Sequence, residues 1–181
     1  NHNFISADGQ YKINLTSSFI SLSTLSYTRW EDMLAHFQTP FQKFVEIYNP
    51  PFLERVGLRY IDAFSREKLG LQGKEWNTLI RPTWLGALCS IEEDRVIGSG
   101  LDVEYKLDDG ISRVKVHTGL GKVNTLPDMV FIVDSDFIHI KNEKVEQFEA
   151  IANYLHNNAG QFIQSVITED LHCAMLPEEL V

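Results

Sequence analysis

The sequence predicts an α+β domain, a largely antiparallel sheet with helices on one face, and three observations predict it. Stretches that alternate apolar and polar residues come in neighbouring pairs joined by turn residues, the signature of antiparallel hairpins. Two long segments instead repeat apolar residues at i, i+3, i+4 spacing, as amphipathic helices do. The resulting order, β-β-α-β-α-α-β-β-β-α, is dominated by hairpins and meanders, which segregates the helices from the strands. The preferred arrangement is a curved sheet gripping a long C-terminal helix packed across it; a split ferredoxin-like or tunnelling-fold sheet is the alternative.

Residues 10–16 and 19–25 alternate around Thr16-Ser17-Ser18 and read as a hairpin. Thr28 and Glu31 then fit a capping box that opens a helix, with Leu34, Phe37, Phe41, Phe44, Val45 and Tyr48 as its apolar stripe. Pro40 kinks or divides that helix, and Asn49-Pro50-Pro51 ends it, because proline cannot continue the hydrogen-bond ladder. A strand follows over 53–64, with Val56, Leu58, Tyr60 and Phe64 on one face and Arg55, Gly57, Arg59, Ile61 and Ala63 on the other. Residues 74–92 give two short helices split at Pro82, a residue suited to the first turn of the second.

The clearest hairpin comes next, 101–107 returning over 114–118, with Asp109-Gly110 as turn. Residues 129–140 are apolar on both faces around Val130-Phe131-Ile132-Val133, which predicts a central strand. A helix over 143–167 closes the chain, capped by Asn142 and striped by Val145, Phe148, Ile151, Ala152, Leu155, Ala159, Phe162 and Val166. One last turn starts at Thr168-Glu169-Asp170.

With no repeat, low-complexity tract or long linker, the 181 residues read as a single domain over 1–181. The first residue is Asn rather than Met, so a further N-terminal element is expected to precede it. No apolar run approaches the ~20 residues a membrane helix needs. Cys89 and Cys173 lie far apart with no CxxC partner, which suggests a reducing, cytoplasmic setting. Asn14-Leu15-Thr16 fits a glycosylation acceptor, but within a predicted strand it is a chance match.

The net charge is −9, and residues 142–181 hold seven acids against Lys144 alone. Such a balance argues against direct binding to a nucleic-acid backbone. The acids are either a solvated face or a docking surface for a protein partner, with Glu143, Glu146 and Glu149 its candidate residues.

The ligand-binding candidates are Arg55, Arg59 and Tyr60. Two arginines on one strand face need carboxylates or an anionic ligand to hold. They sit ~13 Å apart along a strand, too far to clamp one carboxylate together. Asp134 and Asp136 share a strand face; they are weak candidates for Mg²⁺ or Mn²⁺ and the expected partners of the two arginines. Gly57 suggests close packing of a neighbouring group. The six histidines show no metal spacing, and His156 is read as a polar interruption of its helix, with a general-base role as the alternative. Gly98-Ser99-Gly100 and Gly119-Leu120-Gly121 are strand bulges or loop ends rather than phosphate loops. No catalytic or cofactor motif is present, and neither serine nor cysteine sits in a nucleophile elbow.

Three segments, Tyr27-Thr28-Arg29-Trp30-Glu31, Glu54 to Asp62, and Phe162 to Thr168, resemble a sporadically distributed family of uncharacterised prokaryotic proteins. That family's pattern has Y-x-x-W-E, then an E-R-x-G-L-R-Y-x-N strand, then a late segment closing on Ile-Thr. Asp62 here replaces its Asn, and the tail after Thr168 lacks its aromatic. The resemblance covers almost the whole chain and implies an accessory role, in defence or toxin–antitoxin systems. The functional expectation is a non-enzymatic binding or regulatory module. The alternatives are a site for an anionic small molecule held by Arg55 and Arg59 in a sheet–helix cavity, and a metal-dependent nuclease on Asp134 and Asp136.

Overall fold

A computed structural model describes residues 1–123, 126 and 128–175. The chain is α+β, and its strands form two antiparallel sheets where one was expected. They belong to two compact units, Asn1–Leu53 and Glu54–Val181.

The first unit contains β1 (His2–Ile5), β2 (Tyr11–Leu15), β3 (Ile20–Thr24) and the helix α1 (Trp30–Tyr48). The predicted hairpin is β2–β3, in register Tyr11↔Thr24 to Leu15↔Ile20. Its turn is held by Thr16 Oγ1, which accepts the amides of Ser18 at 3.2 Å and Phe19 at 3.0 Å. The sequence reading missed β1, a four-residue strand with every side chain exposed and hence no burial pattern to find. The expected capping box does not form. Arg29 is the N-cap with no side-chain bond to the helix amides, and Thr28 Oγ1 donates to Asp32 instead. Pro40 does not divide α1, which runs on to Tyr48 and ends at Asn49, in the left-handed region at φ 44°.

In the second unit β4 (Leu53–Phe64), β5 (Gly100–Lys106), β6 (Arg113–Gly121) and β7 (Val130–Glu143) form a sheet in the order β4-β7-β6-β5. The doubly apolar strand β7 is central, as its composition requires. β5 and β6 pair from Gly100↔Gly119 to Lys106↔Arg113 around the Asp109-Gly110 turn, where Asp109 Oδ1 accepts the amides of Ile111 and Ser112. Two short helices, α2 (Trp76–Leu79) and α3 (Pro82–Leu85), are split at Pro82 as expected.

The long helix α4 (Phe148–Val166) follows a 3₁₀ turn over Val145–Gln147, and α5 (Glu169–Ala174) ends the described chain. Asn142 is not its cap, because β7 runs on to Glu143. The stripe residues Ala152, Leu155, Ala159, Phe162 and Val166 are buried. Phe162 meets Phe137 of β7 and Trp84 of α3, and Trp76 meets Phe131, so these helices share one sheet face. Burying a side chain such as Leu155 contributes about 1.5–3 kcal/mol. Thr168 bonds the carbonyls of Thr78 and Leu79, and Arg81 N–H donates to Val166, which ties the end of α4 to α2. No helix among the described residues is long and apolar enough to cross a membrane.

Candidate functional site

Strand periodicity divides β4 cleanly. Val56, Leu58, Tyr60, Asp62 and Phe64 are the more buried set, while Arg55, Gly57, Arg59, Ile61 and Ala63 are exposed. Tyr60 points toward α4, where its hydroxyl lies 3.0 Å from His156 Nδ1. Arg55 and Arg59 occupy the opposite face. The three ligand-binding candidates therefore do not line one sheet–helix cavity.

The two arginines meet the two expected acids. Arg59 grips Asp134 bidentately, with Nε donating to Oδ1 at 2.7 Å and Nη2 to Oδ2. Arg55 Nη2 reaches Asp136 Oδ2 at 3.3 Å. The Arg55 guanidinium crosses the space a Cβ on Gly57 would enter, 3.2 Å from it, so the close neighbour of that glycine is the arginine two residues away. Asp134, through a direct hydrogen bond, raises the Arg59 guanidinium above its ordinary range. Burial raises the Asp136 carboxyl although both arginines favour its charged form.

The alternation continues across the sheet. Lys115 lies opposite both Asp136 and Glu104, and His117 lies opposite both Asp134 and Asp102. His117 Nδ1 is 2.9 Å from Asp102, and Arg113 Nε is 3.0 Å from Glu104. The Lys115 row thus alternates in sign, while in the other row an imidazole stands between two carboxylates. Half-exposed pairs of this kind contribute about 0–1 kcal/mol each, so their main effect is to favour one cross-strand register. Asp134 and Asp136 are occupied by arginines, and no group of three or more His, Cys, Asp or Glu among the described residues is arranged to hold a metal ion.

The acidic candidates sit at a corner rather than along a helix. Glu143 ends β7 and pairs with Lys141 at 2.8 Å, Glu146 lies in the 3₁₀ turn, and Glu149 opens α4. Near that corner, buried His139 contacts Ser112 Oγ at 2.8 Å, while Ser112 donates to Asp109 at 2.6 Å. A Ser-His-Asp set so arranged resembles a nucleophilic triad in composition only. Ser112 is wholly buried, and the cluster fastens the β5–β6 turn to β7.

The first unit carries a feature the sequence stripe understated. Of its residues only Trp30 is buried. Phe37, Phe41, Phe44 and Tyr48 form a ladder along α1 with centroids 5.6, 6.4 and 5.3 Å apart. Ile47 and Tyr48 are 70% and 58% exposed, and Phe4, Ile5, Phe19 and Leu25 are exposed as well. The available signal was Ile47 itself, an apolar residue off the stripe. Comparison of the chain with protein-family models, curated proteins and solved structures finds no match.

Proposed function

We propose that the chain is a non-enzymatic binding or regulatory module that associates with a protein partner, or with a second copy of itself, through Asn1–Leu53. One observation carries this reading: the unit buries a single side chain while leaving large apolar residues in water. A segment of this length is marginal even with a full core, and exposed apolar surface of this extent marks an interaction site. The resemblance of the 54–62 strand adds the setting, a cytoplasmic accessory system of the prokaryotic defence or toxin–antitoxin kind.

Sedimentation over a wide concentration range, with capture of the neighbouring gene product, tests it. The wild-type chain is expected to associate in one of these assays, and Ile47→Lys with Tyr48→Ser to weaken that association about tenfold or more. A chain that stays monomeric and retains no partner, or a variant that associates unchanged, overturns the proposal.

A further inference from the structure

His139 lies on the buried face of β7, and its side chain is 8% exposed. Its two ring nitrogens meet different surroundings. On the Nδ1 side, Asp109 Oδ1 accepts the amides of Ile111 and Ser112, and Oδ2 accepts the Ser112 hydroxyl at 2.6 Å. Although desolvation opposes it, these bonds hold the Asp109 carboxyl below its ordinary range, so the group is ionised and can only accept. A hydroxyl has one proton to give, and Ser112 gives it to Asp109. Ser112 Oγ, 2.8 Å from His139 Nδ1, is therefore the acceptor in that second contact, and Nδ1 carries the ring proton.

Nε2 is then the nitrogen left to take up a second proton. It is buried with no hydrogen-bond partner, and Glu143 Oε1 stands 3.5 Å away. In the neutral ring these are two acceptors with no proton between them, an arrangement that calls for an explanation. Residues four apart on a strand are ~13 Å apart, so both side chains lean along β7 to meet. The other charged groups around the ring are engaged. Asp109 Oδ2 is 3.9 Å from Nδ1, Lys141 bonds Glu143 at 2.8 Å, and Arg113 of β6 pairs with Glu104. Tyr154 of α4 accepts the Asp109 amide at 3.2 Å, and no other carboxylate among the described residues pairs with the ring. We infer that His139 is a proton-operated clasp: a proton taken from solvent at Nε2 bridges the ring to Glu143. The chain Glu143–His139–Ser112–Asp109 then joins the end of β7 to the β5–β6 turn through charge-assisted bonds, and Tyr154 extends it to α4. The clasp lies in the second unit and stands independently of association through the first.

Ring-nitrogen NMR of the ¹⁵N-labelled full chain, followed from about pH 8 to about pH 5, tests the assignment. The His139 ring is expected to be protonated at Nδ1 alone at the upper end, and to gain its second proton at Nε2 as the pH falls. Glu143→Ala is expected to weaken that uptake about tenfold, and Glu146→Ala, an exposed neighbour that does not pair with the ring, to leave it unchanged. By linkage, urea denaturation of Glu143→Ala and wild type should diverge on acidification, by up to about tenfold in the unfolding equilibrium constant. A loss of the Lys141 pair alone would give a gap that does not change over this range. A ring protonated at Nε2 at high pH, no proton uptake above about pH 5, uptake indifferent to Glu143→Ala or equally sensitive to Glu146→Ala, or a constant stability gap overturns it.

Discussion

Asp62 lies on the more buried face of β4, between Tyr60 and Phe64, and burial alone pushes its carboxyl up to about 6. In the unfolded chain the group titrates near 3.9. The native state therefore holds the extra proton between about pH 4 and 6, and the stability this provides at low pH is lost as pH rises through the folded value. This rise to about 6 corresponds to a penalty of about 1–3 kcal/mol above pH 6, with allowance for partial exposure. Asp62→Asn should thus unfold at higher urea concentration than wild type near pH 8, and the advantage should vanish near pH 4. A difference independent of pH would remove burial of the charge as its cause. Period-two reading put Arg55 and Arg59 on one face of their strand and Asp134 and Asp136 on one face of theirs, and so found the partners, because cross-strand charge pairing follows directly from parity. The desolvation of Asp62 was illegible, since burial of one side chain depends on what the folded chain brings beside the strand.

At the scale of elements, long periodic segments were the legible ones. The β5–β6 hairpin, the central β7 and the stripe of α4 each carry several residues of consistent pattern, so local and tertiary preferences agree. Boundaries were less legible where a polar residue had two uses. Asn142 has the chemistry of a cap, yet β7 continues through it because its backbone pairs in the sheet, and Thr28 spends its hydroxyl on Asp32. The glycine stretches were read as bulges or loop ends, and the structure gives Gly119 a sharper role. It faces Gly100 in β5, and a Cβ there would stand 2.1 Å from the carbonyl oxygen of Ser99. That oxygen already accepts the Leu120 amide, so the strands cannot separate without losing a bond. Gly119→Ala is expected to cost about 1–3 kcal/mol in urea denaturation, as overpacking does. Gly98→Ala, with nothing within 4 Å of the new atom, should change stability by about 0.5 kcal/mol or less. Equal effects of the two substitutions would remove the close approach of β5 and β6 as the explanation.

For the whole molecule, burial is unevenly shared between the units. Apart from Trp30, the buried apolar side chains among the described residues all belong to Glu54–Val181, where Trp76, Phe131, Phe137, Leu155 and Phe162 anchor one core. Opening free energy follows local burial, so the two units should not be equally protected. Native-state hydrogen exchange on the intact chain is expected to be fast in β1, β2, β3 and α1, through openings that leave the second unit folded. Amides of β6, β7 and α4 should exchange only by global unfolding. Saturating partner, if association through Asn1–Leu53 is correct, should slow the fast class selectively, because a ligand that binds only the closed form stabilises that form. Uniform protection of both units in the free chain would mean that the first unit opens only with the second, and that its exposed apolar surface is no sign of marginal stability.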